Sequence, residues 1–452
     1  MNFEHTPNKS NIDNIVQKLL SKAKHHGATS ADAVGTYGRS LGVVVRNGDL
    51  EDIDNSEGCD IGLRVMVGKR QSCVSTSDTS DASIEKLAER AVAMAKLAPE
   101  DPYCGLVETS KLITHNPDLQ LYDDTSITPI ILKERALEVE SSTLKVKGVQ
   151  QAEGANASHA HSEIFFQTSS GFSYGWMSSR HSVSVSAIAE LNGSMERDYD
   201  YHSTRWLEDL RSTEDVGKLA GSRAVSRLGS KQIKSGAMPV IFDKRISNAL
   251  LSALLGAISG PSIARGVSFL KDKLDQQIFN NKIQVIDDPQ IIRGHGSRLY
   301  DGEGIIPVKR NLIKNGILQT WLLNSSSARQ LNRETTGHAS RNISSPPGVS
   351  STNAYIENGS SSPEELIKQI TDGLIISEMF GPSLNGNTGD YSVGVSGFKI
   401  ENGQKTYPVS EVTIAGNLIE IYKSLIAAND LEFNSATVSP TLLAQGLTVA
   451  GL

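Results

Sequence analysis

Residues 386–398 read GNTGDYSVGVSGF and lie in a region of short apolar runs separated by Gly, Asn and Ser, which is mostly β by pattern. Four of the first twelve residues are glycine. Glycine loses more conformational entropy on folding than other residues, so it is expected where the backbone needs a positive φ or close approach to another chain. Asp390 and Tyr391 among these glycines favour a binding loop, and a tight structural turn is the alternative.

Outward from this stretch, the pattern predicts a large β-rich C-terminal domain over residues 236–452. It begins with a strand at Pro239–Phe242 and continues with the least polar helix of the chain, at about Ile246–Ile258, which breaks at Ser259-Gly260-Pro261. A further helix is predicted after Ser362, because Ser362 and Glu365 form a capping box.

Two mixed segments precede that domain. Residues 1–105 predict helix, antiparallel strands and helix, with a hairpin turn at Asn47-Gly48 because this dipeptide tolerates a positive φ. Residues 117–230 predict a helix at Pro129–Leu144, a serine-rich meander within Gln151–Glu190 and a helix near Glu214–Leu228. The expected fold class is therefore α+β: an N-terminal α+β module, a helix-plus-antiparallel-sheet segment and the larger β-rich domain.

Composition narrows the function classes. The 452 residues carry 44 Lys plus Arg against 51 Asp plus Glu, a formal charge of −7, which argues against a nucleic-acid binder. No apolar stretch is long enough to suggest a membrane span. Residues 1–10 lack the layout of a secretory signal, and three cysteines are too few for a disulfide framework, so we expect a cytoplasmic protein.

Motifs for common hydrolases are missing or weak. None of the ten histidines is followed by Glu, so the zincin motif is absent. Gly-x-Ser-x-Gly occurs around Ser40 and Ser173, but strand-like alternation follows both, whereas a nucleophile elbow leads into a helix. His159, His161 and Glu163 would share one face of a strand and could bind a metal; a solvated strand face is the alternative.

Three runs carry a family resemblance. They are the residues from Asn387 to Phe398, the run Tyr300-Asp301-Gly302-Glu303-Gly304 and the run Arg197-Asp198-Tyr199-Asp200-Tyr201. On these runs the chain resembles the PmbA/TldE branch of the TldD/PmbA family over nearly its whole length.

The resemblance implies a cytosolic two-chain zinc metallopeptidase that cleaves unstructured peptides, including in the maturation of peptide antibiotics. TldD-type chains carry His-Glu-x-x-x-His on the helix after the first strand of the C-terminal domain, and a later Cys. Here the matching positions are Ser252, Ala253 and Ala257, and no Cys follows Cys104. The resemblance therefore implies that this chain is the non-catalytic TldE-type subunit, that it binds no cofactor, and that the partner subunit holds the zinc.

The expected partners are a TldD-like catalytic subunit in a heterodimer, or a second copy in its absence, together with unstructured peptides; no nucleic acid and no membrane are expected. The residues predicted to line the peptide cleft or the subunit interface are Gly389, Asp390, Tyr391, Gly394, Gly397, Asp301, Glu303, Arg197, Asp198 and Tyr199. Two alternatives stay open: an autonomous hydrolase with an unrecognised site, for which His159 and His161 are candidates, and a peptide-binding homodimer without proteolysis.

Overall fold

The computed structural model describes residues 9–112 and 117–452 of the chain. Most of residues 1–10, which lack the layout of a secretory signal, lie outside the described part of the chain. Within the described part, no helix is both long and apolar enough to cross a bilayer.

The chain begins with a helix and a long hairpin. Its elements are α1 (Lys9–His25), β1 (Ser30–Arg46), β2 (Asp49–Val67), β3 (Arg70–Thr76) and α2 (Asp81–Leu97). Asn47 and Gly48 join β1 to β2 with φ angles of 54° and 79°, which confirms the predicted turn. The strands continue well beyond the short hairpin that the sequence predicts around this turn.

The next segment is a meander between two helices. It contains α3 (Pro129–Leu144), β4 (Val149–Thr168), β5 (Ser173–Leu191), β6 (Ser194–Thr204) and α4 (Thr213–Ser226). β1 pairs antiparallel with β4 from Asp32↔Thr168 to Val45↔Ala155. The first two segments therefore share one six-stranded sheet, in the order β3-β2-β1-β4-β5-β6.

All four of these helices lie on one face of the sheet. Side chains alternate along a strand, so Ala31, Ala33, Val43 and Val45 of β1 share a face. α1 and α2 cover the end that contains Ala31 and Ala33, whereas α3 and α4 cover the end that contains Val43 and Val45. The opposite face carries Val34 and the residue paired with it, Phe166, and packs against the C-terminal domain.

The C-terminal domain combines two main sheets with short helices. Its elements are β7 (Gly236–Phe242), α5 (Asn248–Ala257), α6 (Gly260–Ala264), β8 (Val285–Asp287), β9 (Arg310–Lys314), β10 (Ile317–Leu318), α7 (Ser325–Gln330), β11 (Ala339–Ser340), β12 (Gly348–Val349), β13 (Ala354–Ile356), α8 (Pro363–Lys368), β14 (Asp372–Leu384), β15 (Asp390–Glu401), β16 (Gln404–Asn417), α9 (Leu418–Ser424), β17 (Ile426–Ala427), β18 (Thr437–Val438) and β19 (Leu442–Ala450). One sheet has the order β10-β9-β8-β13-β18 and the other β16-β15-β14-β7-β19-β17. The α+β class is confirmed.

Buried contacts hold the first sheet against the C-terminal domain. Tyr300 packs its ring against Phe166 and Phe172, with ring centroids 6.5 and 5.2 Å away. Asp32 of β1 is fully buried and forms ion pairs with Arg64 of β2, at 2.5 Å, and with Arg341 of the C-terminal domain, at 2.9 Å. The relative position of the two halves is therefore fixed by packing and by charge.

Candidate functional site

Helix α5 occupies the place where the resemblance puts a zinc motif. Leu250, Leu251 and Leu254 are buried in the main core of the domain, and the hydroxyl of Tyr422 donates a hydrogen bond to the Leu250 carbonyl at 2.9 Å. The helix is short, running from Asn248 to Ala257 directly after β7 and the turn that follows it. It therefore serves as a core element that anchors the sheet.

The three positions that match the motif carry side chains unsuited to bind zinc. Ser252 is exposed, Ala253 is half-buried against the core, and Ala257 is buried, with its carbonyl accepting a hydrogen bond from Ser268 Oγ at 2.6 Å. A zinc site needs His, Cys or carboxylate ligands, and a catalytic one also needs a base to activate water. Across residues 9–112 and 117–452, no group of three or more His, Cys, Asp or Glu side chains is arranged to hold a metal ion. The residues present therefore do not fit a catalytic zinc.

The predicted histidine row lies along strand β4, where His159 and His161 are half-buried and Glu163 is buried. His159, His161 and Glu163 share the helix-covered face of β4, in the gap between the two helix pairs. The His159 ring centroid lies 4.5 Å from that of His181 and 6.1 Å from that of His161. Burial and the neighbouring histidines lower the pKa of His159 to about 4, so its ring is neutral near neutral pH. His181 Nε2 lies 3.1 Å from Asp123 Oδ2.

The two Gly-x-Ser-x-Gly matches lie in strands. Ser40 is inside β1, and Ser173 is the first residue of β5. Neither forms the strand–turn–helix geometry of a nucleophile elbow, in agreement with the prediction.

The glycine-rich stretch is a tight turn that leads into strand β15. Gly389 adopts a φ of +82°, and its N–H donates to the Asn385 carbonyl at 2.8 Å. A Cβ on Gly397 would lie 1.8 Å from the Ile375 carbonyl oxygen, and one on Gly394 would lie 3.3 Å from that of Phe380. Turn geometry and close strand approach thus account for these glycines.

Asp390 and Tyr391 follow that turn and point in different directions. Asp390 is exposed and accepts hydrogen bonds from Thr388 Oγ1 at 2.7 Å and from Asn417 Nδ2 at 3.1 Å. Tyr391 is buried, and its hydroxyl lies 3.7 Å from the Met379 sulfur. Only Asp390 of the pair is exposed to solvent, and its binding role stays a prediction.

Asp301 and Glu303 are buried inside the C-terminal domain. The Asp301 carboxylate accepts backbone hydrogen bonds from Glu303, Ile305 and Ala339 at 2.9–3.0 Å. Glu303 Oε2 accepts from the backbone and the hydroxyl of Ser325 at 2.9 and 2.7 Å. Burial and the nearby Glu303 charge raise the pKa of Asp301 to about 7. These contacts organise the loop before β9 and leave both carboxylates away from the surface.

The run from Arg197 to Tyr201 lies on β6, beside a cavity of about 480 Å³ between the first sheet and the C-terminal domain. Arg197 itself is exposed and donates to Ser186 Oγ at 3.2 Å. Asp198 is buried and pairs with Arg245 at 2.8 Å. Tyr199 lines the cavity, and the Arg245 guanidinium lies 5.1 Å from its ring centroid.

Of the predicted site residues on β6, Tyr199 lines this cavity, together with cations that the sequence reasoning missed. They come from the segment before α4, from α4 itself and from the turn before α5: Arg211, Arg223, Lys244 and Arg245. Arg211 and Arg223 both bind Asp200, and they lie 11 and 23 positions away from it in the chain. Such separations leave no local pattern by which the cluster could have been found.

Comparison with known proteins gives three family-model matches that together span most of the chain. Residues 31–95 match PmbA/TldA metallopeptidase domain 1, residues 122–228 match the central domain, and residues 235–451 match the C-terminal domain. The chain is 34% identical to Metalloprotease PmbA of Escherichia coli O157:H7 over 435 residues, which cover 96% of this chain and 94% of the relative. It is 32% identical to the Metalloprotease PmbA homolog of Haemophilus influenzae over 437 residues, with the same coverage.

Solved structures agree in fold. A proposed modulator of DNA gyrase from Bacteroides thetaiotaomicron superposes with a TM-score of 0.89 at 26% identity, covering 97% of this chain and 98% of that one. TldE from Thermococcus kodakarensis superposes with a TM-score of 0.84 at 21% identity, covering 97% and 100%. At that identity the second match supports the fold alone.

Proposed function

The chain belongs to the PmbA/TldD metallopeptidase family, and from this premise we propose that it is the zinc-free subunit of a two-chain peptidase that cleaves unfolded peptides. In this proposal a TldD-like partner supplies the metal and the water-activating base. This chain supplies part of the peptide cleft and of the subunit interface, and a second copy replaces the partner when the partner is absent. The cytoplasm, predicted from the sequence, is the compartment proposed for the pair.

The observation that carries the proposal is the chemistry of α5. A catalytic zinc takes three protein ligands and keeps a further position for water. Ser252 offers a single neutral hydroxyl, and the methyl groups of Ala253 and Ala257 offer no lone pair. Ala253 and Ala257 pack toward the core, so their apolar surface is buried and stabilises the fold. A catalytic chain would need polar side chains at these positions.

The autonomous-hydrolase alternative has less support. Its candidate residues are His159 and His161. Burial and the neighbouring histidines lower the pKa of His159, and burial and the Arg39 charge lower that of His161. Both rings lie between the helix pairs that cover the sheet. The experiment below also distinguishes the proposed peptidase subunit from a non-proteolytic homodimer.

The test combines the purified chain with a purified TldD-like subunit and follows cleavage of a fluorogenic unfolded peptide. We expect no cleavage by this chain alone, and cleavage by the mixture that a chelator abolishes. A Ser252→Ala variant is the matched control and should support the same rate as the wild-type chain, because Ser252 holds no metal here. Chelator-sensitive cleavage by this chain alone would overturn the proposal, and a stable mixed complex without cleavage would favour the binding protein.

A further inference from the structure

We propose that the cavity between β6 and the start of α5 binds a carboxylate group of an extended peptide. The inference rests on the proposed function only in taking peptides as the ligands. The cavity, of about 480 Å³, is in the size range of small-ligand sites and can hold a peptide end or one acidic side chain with its neighbour.

The charges that line the cavity favour an anion. Four cations face two carboxylates, and the lining charges are Arg211, Arg223, Lys244, Arg245, Asp200 and Glu432. Lys244 forms an ion pair with Glu432, and Asp198, which lies outside the cavity lining, balances the Arg245 charge at 2.8 Å. Asp200 alone offsets both Arg211 and Arg223, because each guanidinium binds one of its oxygens. One positive charge at this pair is therefore uncompensated.

The same two arginines retain unused hydrogen-bond donors. Within the described residues, Arg211 donates only through Nη2, to Asp200 and to the Tyr201 carbonyl, and its Nε is buried without a partner. Arg223 donates only through Nη1, to Asp200 and to the Tyr199 carbonyl. A guanidinium has five N–H groups in a planar fork that matches a carboxylate. Each arginine can thus donate hydrogen bonds to a second carboxylate while it keeps its bond to Asp200.

His202 adds a neutral donor to the same wall. Its Nδ1 accepts a hydrogen bond from the Arg211 backbone N–H at 3.1 Å. Burial and the Arg211 charge lower the pKa of His202, so the neutral ring carries its proton on Nε2. That N–H suits a carboxylate oxygen as an acceptor.

Exposed aromatic rings border the charged part of the cavity. Tyr199 and Tyr201 stack with ring centroids 6.3 Å apart, and they are 44% and 52% exposed. Phe433, across the cavity, is 52% exposed. Rings left open to water beside a cationic pocket favour a ligand with an apolar part next to its charge, such as a peptide residue next to a carboxylate.

The test uses the isolated full chain and an unfolded peptide labelled at its N-terminus, with binding followed by fluorescence anisotropy. Three forms are compared: a free C-terminal acid, the C-terminal amide, and an amide with Glu as its last residue. We expect at least one carboxylate form to bind roughly tenfold more tightly than the plain amide. The reason is that the plain amide cannot form the charge-assisted hydrogen bonds that a carboxylate forms with the arginines. The peptide form that binds more tightly shows whether the bound carboxylate belongs to the chain end or to a side chain.

Two arginine variants and a salt series test whether the preference for a carboxylate arises at this cavity. Arg211→Gln and Arg223→Gln should each remove most of the acid-over-amide preference, whereas Lys314→Gln, an exposed lysine on β9, should retain it. In the wild-type chain the preference should shrink as salt rises, which tests the charge without any variant. Equal binding of all three peptides, or a preference that survives in both arginine variants, would overturn the inference. Either result leaves the proposed function standing if the mixed pair still cleaves peptide and this chain alone does not.

Discussion

Asp32 offers the sharpest structural prediction, because one carboxylate joins the two halves of the molecule. It is fully buried, and its partners Arg64 and Arg341 have side chains only 5% and 4% exposed. Burial alone would raise the pKa of Asp32, but the two guanidiniums hold it below its ordinary value, so the group is ionised in the folded protein. Asp32→Asn keeps the shape of the side chain and removes its charge.

The expected loss of stability comes from the two arginines that the substitution leaves without a counter-charge. Two buried guanidiniums would lose their shared counter-charge, and breaking a buried ion pair on one side costs about 3–5 kcal/mol. The matched control is Glu420→Gln, which removes a carboxylate that is 72% exposed beside Lys423, itself 50% exposed. An exposed pair contributes only about 0–1 kcal/mol.

Urea unfolding followed by circular dichroism measures both variants, with the free energy of unfolding taken from the midpoint and slope. Asp32→Asn combined with Arg341→Met should recover part of the loss, because one uncompensated charge is then removed as well. If Asp32→Asn costs no more than Glu420→Gln, the charge link between the halves does not stabilise the fold and the reasoning is refuted.

Three further predictions concern a strand glycine, the buried acids and the histidine row. Gly397→Ala should cost about 1–3 kcal/mol in urea unfolding, because its Cβ would overlap the Ile375 carbonyl, whereas Gly58→Ala, whose Cβ meets nothing within 4 Å, should cost far less; equal losses would contradict this. Folding raises the pKa of Asp301, so its contribution to the free energy of unfolding is complete below pH 3.8 and declines as the pH rises toward 7. Glu303→Gln should flatten this decline between pH 5 and 8. An unchanged slope of the free energy of unfolding against pH would argue against the coupling of Asp301 to Glu303. His159→Ala combined with His161→Ala should leave peptide cleavage by the mixed pair unchanged, and loss of cleavage by a folded double variant would revive a catalytic role for these rings.

Local sequence was enough to predict several elements of the fold. Asn47-Gly48 predicts its turn because few residue pairs tolerate two positive φ angles, and the capping box of Ser362 and Glu365 is present as predicted. The helix at Pro129–Leu144 has the predicted bounds, since proline and an N-cap threonine fix its start. In each case the signal lies within a few residues of its effect.

Long-range pairing could not be predicted in the same way. The contact of β1 with β4 joins Asp32 to Thr168, and nothing near either residue specifies the other. The cavity has the same character, because Arg245 reaches Asp198 across 47 positions of the chain. The absence of zinc ligands on α5, in contrast, could be seen directly in Ser252, Ala253 and Ala257 once the helix was matched to its family.

Metal analysis of the purified chain tests the central claim most directly. The chain is dialysed against a small excess of zinc, desalted and measured by inductively coupled plasma mass spectrometry, with a TldD-like subunit treated in parallel. We predict that the TldD-like subunit retains stoichiometric zinc and that this chain retains only a trace. Stoichiometric zinc on this chain, together with peptide cleavage in the absence of any partner, would contradict its assignment as the zinc-free subunit.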